Sequence, residues 1–507
     1  MSSRFSVFEA EGFAKTIQRH LDDIKDLFLE DDVPWIVGYS GGKDSTAVLQ
    51  LIWMALEQLP SSSLNKQVHV ISTDTLVENP IVSAWVANSH EVMQKTARKT
   101  GLPFISHKLT PEVANTFWVN LIGKGYPAPR PKFRWCTERL KIRPSNQFII
   151  DVTNKSGKSV LVLGARKAES STRAATMARH EKHRTRDKLS PSGSLPGCNI
   201  YTPIEIWTND DVWLFLMQAK NPWGFNNQDL LNMYQGASAD GECPLVVDTS
   251  TPSCGDSRFG CWVCTLVEQD KSMTAMIQND AEKDWMLPLL NIRNSLDFRL
   301  MGKDGASEDT EGLSDRKLRD FRRMNGNVQF MGEGENRRVI PGPYTQEARK
   351  NWLKMLLDAQ SYIQSTGPKE VRDIELVTRH ELEEIRRIWV FEKGEIEDFL
   401  PIIYQSSLGK KYPGKALGVN TFFDLTDLNS LKQICKDKDA TYELCRDILT
   451  VISKRIFSTG KGQTQDELVN VLNRYLFASE KEAMDQERLV LNQNHESSKP
   501  KEDIIVV

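Results

Sequence analysis

The string YSGGKDST, residues 39–46, joins a short apolar run rich in β-formers, WIVGYS (35–40), to a segment of helical period, STAVLQLIWMALEQL (45–59). Ser-Gly-Gly at such a junction lets the backbone turn tightly. It leaves amide N–H groups at a helix N-terminus, where the helix dipole favours an anion such as a phosphate or pyrophosphate. The spacing is not the G-x-x-x-x-G-K-[ST] of the common P-loop. A plain tight strand–helix connection has the same look, and the turn alone does not separate the two.

The pattern continues beyond the turn. QVHVISTD (67–74), LPFISHKL (102–109) and KSVLVLGA (158–165) read as strands, and PIVSAWVANSHEVMQKTARKT (80–100) reads as a helix. Strands alternating with helices predict an α/β fold, a parallel sheet with helices on both faces. Ligands of such sheets sit beyond the carboxyl ends of the strands, here near Ser40, Thr73–Asp74 and Gly164–Arg166. RDKLSPSGSLPGC (186–198) is Pro/Gly/Ser-rich and reads as a mobile loop. PIEIWTNDDVWLFLMQ (203–218) restarts a helix, with Thr208 or Asn209 as N-cap and Asp210 and Asp211 in the first turn. From about residue 300 the chain becomes polar, then charged and amphipathic, as in TQEARKNWLKMLLDAQSYIQ (345–364) and TRHELEEIRRIW (378–389). A mostly helical C-terminal region is expected. The domain reading is 1–230 for the sheet domain, 231–300 for a cysteine-rich segment, 301–480 for the helical region and 481–507 for a flexible tail.

A chain of 507 residues with 39% apolar and 26% charged residues is that of a multi-domain globular protein. No apolar run approaches the roughly 18 residues that span a membrane, and MSSRFSVFEAEGF is too polar and acidic for a signal peptide. A cytoplasmic location without membrane association is the expectation. Clustered cysteines in a reducing compartment are ligands or catalysts rather than a disulfide scaffold. CPLVVDTSTPSCGDSRFGCWVC (243–264) holds four of the eight, spaced C-x10-C-x6-C-x2-C. Four thiolates suit tetrahedral zinc and cubane iron–sulfur clusters alike, and a redox pair at Cys261 and Cys264 is also open. Cys198, Cys435 and Cys445 match no ligand spacing and read as structural, as do Trp352 and Trp389. Net charge is −3, so nucleic-acid binding would need a local patch or partner proteins. Residues 130–143 carry six Lys/Arg against one acid, and residues 166–188 carry eight against three. RKLRDFRR (316–323) is a third basic stretch, readable as an exposed helix face or as a contact to DNA phosphates.

S-G-G-x-D-S after the first strand resembles the PP-loop of the ATP pyrophosphatases, which split ATP between its α and β phosphates. Four further strings, STDTLVENP (72–80), RWCTERLKIRP (134–144), GARKAESSTR (164–173) and PIEIWTNDDVWLFL (203–216), resemble phosphoadenosine phosphosulfate (PAPS) reductases in order along the chain. The Glu-Cys-Gly-x-His motif of those reductases is absent, and Cys136 is followed by Thr137 where cluster-bearing adenylyl-sulfate reductases have a second cysteine. The combination of this loop, a single Cys136, the cysteine stretch and a long helical C-terminal region resembles the DndC family of DNA phosphorothioation sulfurtransferases.

That resemblance implies a PP-loop fold of the adenine nucleotide α-hydrolase type, plus an iron–sulfur segment. It implies ATP, Mg²⁺ and a [4Fe–4S] cluster held by Cys243, Cys254, Cys261 and Cys264. Ser40, Gly41, Gly42, Lys43, Asp44, Ser45, Asp74, Gly164 and Arg166 would bind ATP, and Lys43, Asp44, Arg166, Arg173 and Cys136 would carry the chemistry. Arg134, Lys141, Arg166 and Arg173 would face an anionic substrate, with Cys136 relaying sulfur as a thiolate favoured by Arg134 and Arg139. The implied partners are DNA, a cysteine desulfurase as sulfur donor, an SMC-like ATPase and a small DNA-binding subunit. Thiolation of RNA, reduction of an adenylyl sulfate, and a zinc-stabilised binding module without catalysis are the competing readings.

Overall fold

The computed structural model describes residues 6–182, 184, 188–238, 259–297, 299, 315–415, 417, 423–438, 441–456 and 462–497. The chain divides into two compact units. One comprises Met1–Phe117, Pro129–Asn294 and Tyr362–Ile374; the other comprises Trp118–Ala128, Ser295–Ser361 and Glu375–Val507.

The first unit is α/β. In chain order it contains α1 (Phe13–Leu29), β1 (Trp35–Gly38), α2 (Lys43–Glu57), β2 (Val68–Thr73), α3 (Pro80–Thr100) and β3 (Phe104–Leu109). Then come α4 (Arg143–Ser156), β4 (Ser159–Val162), α5 (Ser171–Glu181), β5 (Leu189–Pro191), β6 (Cys198–Tyr201), α6 (Asn209–Gln218), α7 (Asn227–Gly236), α8 (Lys271–Asn279) and α9 (Leu287–Leu296). The sheet order is β3-β2-β1-β4-β6-β5, parallel except for β5, which runs antiparallel to β6. From β1 the chain moves outward through β2 to β3, then crosses back to place β4 on the other side of β1. The loops leaving β1 and β4 therefore diverge, opening a crevice at the carboxyl ends of the two central strands.

Local chemistry accounts for these elements. On α1 the buried Ile17, Leu21, Ile24 and Phe28 recur at three- and four-residue intervals, one apolar face of a surface helix. On α2, eleven of fifteen residues are buried, so its apolar run covers all sides. Trp53 of α2 stacks on Phe104 of β3 with ring centroids 4.2 Å apart, fixing the helix on the sheet. α3 starts with Asn79 accepting from the Ile81 N–H and Pro80 in the first turn, and stops at Gly101 in the left-handed region. Thr208 caps α6 in a reciprocal box with Asp211, so of the two expected caps it is Thr208 that serves.

The Pro/Gly/Ser-rich stretch corrects the expectation of a mobile loop. Its described part, from residue 188 on, forms the β5–β6 hairpin, and Leu189, Leu195 and Cys198 are buried. The turn-forming residues sit at the bend while the three apolar side chains dock on the sheet. Cys198 opens β6 in a cluster with Ile36, Ile149 and Leu161, a core position rather than a loop one.

The second unit is mostly helical, with a two-residue-per-strand ribbon of β7 (Phe330–Met331) and β8 (Arg338–Val339). Its helices are α10 (Gln346–Thr366), α11 (Arg379–Arg387), α12 (Phe399–Leu408), α13 (Leu425–Asp437), α14 (Tyr442–Ile456), α15 (Gly462–Arg474) and α16 (Glu480–Ser497). Trp352 and Trp389 are core residues of this unit, and Cys435 is buried. Trp118 Nε1 donates to the Leu376 carbonyl and Trp389 Nε1 donates to the Ile122 carbonyl, each at 2.8 Å, stitching residues 118–128 into the helices. RKLRDFRR is neither an exposed helix face nor a free basic patch. Only Arg316–Leu318 make a helical turn, Arg319 and Arg323 bind the carbonyl of Pro341, Arg322 binds the carbonyl of Phe477, and Arg316 pairs with Glu480. These contacts hold the chain together within the unit.

Candidate functional site: a Gly-rich loop and a thiol cluster

Residues Tyr39–Gly42 turn from β1 into α2. Gly41 has φ of 74°, and a Cβ there would lie 2.5 Å from Val86 Cγ2, so both conformation and space require glycine. The loop is braced by its own hydroxyls. Ser45 Oγ donates to the Gly42 carbonyl at 3.0 Å and accepts from the Ser40 N–H at 3.2 Å, with Ser40 Oγ 3.1 Å away. Thr46 Oγ1 also donates to the Gly42 carbonyl, at 2.9 Å. From behind, Ser72 Oγ donates to the Tyr39 carbonyl and accepts from His90 Nε2 at 2.6 Å. The helix N-terminus and the preceding amides are thus fixed in the arrangement that binds phosphate groups.

Charge is arranged around that terminus. Arg166, 3% exposed, donates from Nε to Asp44 Oδ1 at 2.7 Å, while Lys43 Nζ lies 3.4 Å from Asp44 Oδ2. Asp44 therefore locks the β4 loop to α2 and balances two cations that border the loop. Gly164 permits this closeness: a Cβ there would lie 2.9 Å from the carbonyl carbon and oxygen of Asp44. Lys43 Nζ also sits 5.5 Å from the centroid of the Tyr234 ring, and the Lys43 N–H donates to Tyr234 Oη at 3.4 Å. At the end of β2, Asp74 accepts from the Leu76 N–H at 2.8 Å and pairs with Lys108 at 2.8 Å.

These residues open on one cleft of about 1610 Å³. Ser40, Gly42, Lys43, Asp44, Ser45, Asp74, Gly164, Arg166 and Arg173 all line it, as do Glu78, Lys108, Lys141 and Tyr234. Gly41 shapes the turn without lining the cleft. Several of the described cations in residues 166–188 are balanced locally. Arg173 pairs with Glu169, Lys167 with Glu181, and Arg184 with Glu205 at 3.0 Å.

A second chemical group adjoins the cleft. Cys261 pairs with Glu78 through a backbone bridge, Trp262 N–H donates to the Val77 carbonyl at 3.0 Å, and Cys261 Sγ lies 3.4 Å from Thr75 Oγ1 and 3.7 Å from Glu78 Oε1. Lys141 Nζ is 3.1 Å from Glu78 Oε1. Burial, reinforced by Glu78, pushes the Cys261 thiol up to about 12. Burial by itself would lower Lys141, but Cys261, Glu78 and Cys264 hold it above the ordinary lysine range. Cys264 closes a tight turn by donating its N–H to the Cys261 carbonyl at 3.0 Å, and it acts electrostatically on both Cys261 and Cys136.

Cys136 corrects one expectation. Its thiol is raised by burial, with Cys264 adding to the effect and a hydrogen bond from Thr137 opposing it. Desolvation outweighs any help from Arg134 and Arg139 in forming a resting thiolate. Cys243 and Cys254 lie outside the described residues. Among the described residues, no group of three or more His, Cys, Asp or Glu is arranged to hold a metal ion. The described half of the expected set, Cys261 and Cys264, sits on one tight turn, as a C-x-x-C pair must to offer two thiolates to one metal or cluster. Glu78 and Tyr234 escaped the sequence reading. Glu78 lies inside a quoted string, beside the Asn79 cap of α3; nothing local marks Tyr234.

Residues 34–266, a little under half of the chain, match the phosphoadenosine phosphosulfate reductase domain. An uncharacterized protein of Methanocaldococcus jannaschii is 26% identical over 259 residues, 51% of this chain and 42% of the relative, so the chain spans less than half of that relative's length. Among solved structures, the PAPS reductase of Candida auris in a phosphate complex is 12% identical, covering 44% of this chain and 93% of its own, with a TM-score of 0.26. The U34-tRNA thiolase NcsA of Methanococcus maripaludis, with its [4Fe–4S] cluster, is 15% identical, covering 60% and 84%, with a TM-score of 0.28. Among the described residues, no helix is long and apolar enough to cross a membrane.

Proposed function

We propose that this chain is a sulfurtransferase that uses ATP to activate a phosphate of the DNA backbone and then replaces a non-bridging oxygen with sulfur. One observation carries the reading. The cleft lined by Lys43, Asp44 and Ser45 is also lined by Glu78 and Lys141, and Glu78 contacts Cys261. A nucleotide-type cleft and a thiol thus adjoin through Glu78, which lines the one and contacts the other.

In this reading the loop amides, Ser40, Ser45 and Lys43 hold the leaving pyrophosphate, and Arg166 fixes Asp44 so that Lys43 stays directed at the loop. Asp44 and Asp74, which both line the cleft, would be the carboxylates to hold Mg²⁺ once ATP draws Lys43 and Lys108 to its phosphates, and the ion would supply charge neutralisation there. A non-bridging DNA oxygen attacks the α phosphorus, pyrophosphate leaves, and the oxygen becomes part of a phosphoanhydride. Sulfur carried as a persulfide on Cys136 then attacks the DNA phosphorus, and AMP departs with the oxygen. An external thiol opens the remaining S–S bond, which frees the phosphorothioate and leaves a mixed disulfide on Cys136 to be reduced. Desolvation of Cys136 keeps the resting thiol protonated, and a persulfide, a stronger acid than a thiol, ionises more readily at the same place.

The [4Fe–4S] cluster belongs to the same proposal, with Cys261 and Cys264 on their turn and Cys243 and Cys254 completing the set. It would supply sulfide-rich redox chemistry beside Cys136. A cysteine desulfurase is the proposed sulfur donor. With a net charge of −3, the chain would share DNA binding with an SMC-like ATPase and a small DNA-binding subunit. The test is digestion of DNA from cells carrying the wild-type or Cys136→Ser protein with its partners. Nuclease-resistant phosphorothioate dinucleotides are expected from wild type and not from the variant. Their absence in both, with thiolated RNA in their place, would overturn the DNA assignment; equal amounts in both would remove the relay role of Cys136.

A further inference from the structure

As the chain leaves β1 for the Gly-rich loop, the Tyr39 N–H donates to the Ile71 carbonyl at 2.8 Å and continues the ladder with β2. The Tyr39 carbonyl takes the hydroxyl of Ser72, a buried side chain of β2. At the other edge of the same peptide, the Ser40 N–H donates to Ser45 Oγ at 3.2 Å. The Tyr39–Ser40 peptide is thus held at both its polar ends, by β2 on one side and by α2 on the other. Because the peptide is planar, those two bonds fix its plane and with it the path of the backbone into Gly41 and Gly42.

Behind Ser72 stands His90 of α3, buried, with Nε2 2.6 Å from Ser72 Oγ. A serine hydroxyl has one proton to give. Since that proton goes to the Tyr39 carbonyl, Ser72 Oγ can only accept from the ring, and His90 Nε2 must carry an N–H. His90 Nδ1 has no hydrogen-bond partner among the described residues, so a proton there would be a buried, unsatisfied donor. Burial, then the charges of His107 and Lys108, lower His90 from 6.5 to about 4, which leaves the ring neutral at neutral pH with its one proton on Nε2. The same helix holds the Tyr39 side chain. Ser89 Oγ lies 2.7 Å from Tyr39 Oη, and the Tyr39 ring stands edge-on to His90 with centroids 5.8 Å apart. We propose that His90 and Ser72 form a directional strut, from the His90 N–H through Ser72 to the Tyr39 carbonyl, that sets the Tyr39–Ser40 peptide and so aims the loop amides at the phosphates of the nucleotide. Both are positioning residues: Ser72 acts through the Tyr39–Ser40 peptide, and His90 acts through Ser72. The inference rests on the reading of the loop as an ATP site and deepens it, by naming what holds the loop in its binding form.

The test is calorimetric titration of the full-length protein, purified without oxygen, with α,β-methylene ATP and Mg²⁺. The carbon bridge of this analogue resists cleavage, so the readout is affinity alone. Ser72→Ala should weaken binding by about tenfold or more, the worth of one charge-assisted hydrogen bond between an amide and a phosphate. His90→Leu should weaken it by about threefold, the worth of an ordinary hydrogen bond. His90→Gln, whose side-chain amide offers an N–H, should restore it. In the Ser72→Ala background, His90→Leu should make no further difference, because nothing is left for the ring to direct. A contribution of His90 to packing alone would add to that of Ser72, and additive losses would overturn the strut. Affinity within twofold of wild type in Ser72→Ala would overturn it as well, while leaving the ATP reading standing. Ser72→Ala removes a single oxygen from the interior, so this arm decides the question by itself if His90→Leu does not fold. Failure of the wild-type protein to bind the analogue would overturn the ATP reading and the role of the strut with it.

Discussion

Gly164 and Asp44 are 120 residues apart in sequence, yet the site depends on how closely they approach. The Asp44 carbonyl would lie 2.9 Å from any Cβ at position 164, and backbone cannot swing aside as a side chain can. Gly164→Ala therefore shifts the N-terminus of α2 against the β4 loop and disturbs the Arg166–Asp44 contact of 2.7 Å. Misplacements of this size away from the reacting atoms cost on the order of a hundredfold in rate. A loss of that order in pyrophosphate release from ATP, with circular dichroism unchanged, is the expected outcome; activity within twofold of wild type would show that the approach is not needed. Arg166 is equally specific, because its guanidinium is buried and fixed by geometry. Arg166→Lys keeps the charge but loses the planar fork, so it should impair the site nearly as much as Arg166→Ala in the same assay. Activity close to wild type in Arg166→Lys would show that charge alone is required.

At the scale of elements, the strand, turn and helix from residue 35 to 57 were legible because every local signal agrees: an apolar run, Ser-Gly-Gly, then a dense apolar helix. The β5–β6 hairpin was not, because its turn residues outnumber the three apolar side chains that pin it. The basic stretch at 316–323 was misleading for a related reason: the carbonyls that hold its arginines come from as far away as residue 477. The meeting of Glu78, Lys141 and Cys261 could not be read locally either, since tertiary folding alone brings residue 78 to residue 261. The face of β2 and β3 beneath α4 yields a prediction of its own. His69 Nδ1 lies 3.0 Å from His107 Nε2, and Phe148 packs on both rings. Burial, then the charges of His107 and Lys155, lowers His69 from 6.5 to about 4; burial, then His107 and Lys108, does the same to His90. The unfolded chain therefore takes up these protons first as pH falls. The stability owed to the neutral rings is complete above about pH 6.5 and is lost progressively toward pH 4. Melting temperature should fall across that window, and the fall should be shallower in His69→Gln. A melting temperature that is flat or rising on acidification would contradict this.

On the scale of the molecule, a nucleotide-type cleft adjoins a group of thiols whose described members are Cys136, Cys261 and Cys264. Anaerobic purification followed by iron, labile sulfide and zinc analysis tests the second half. Iron and sulfide near four of each per chain are expected for a cubane cluster, with loss of both in Cys261→Ser; zinc in their place would support a structural role for the cysteines. The first half is the central claim, and the most direct measurement of it follows the fate of ATP. Labelled ATP is incubated with the protein, Mg²⁺, DNA and a persulfide donor, and the nucleotide products are separated. AMP and pyrophosphate in equal amounts, abolished in Asp44→Ala, are the result the proposed function predicts. ADP and inorganic phosphate as the products, or ATP left intact, would contradict it.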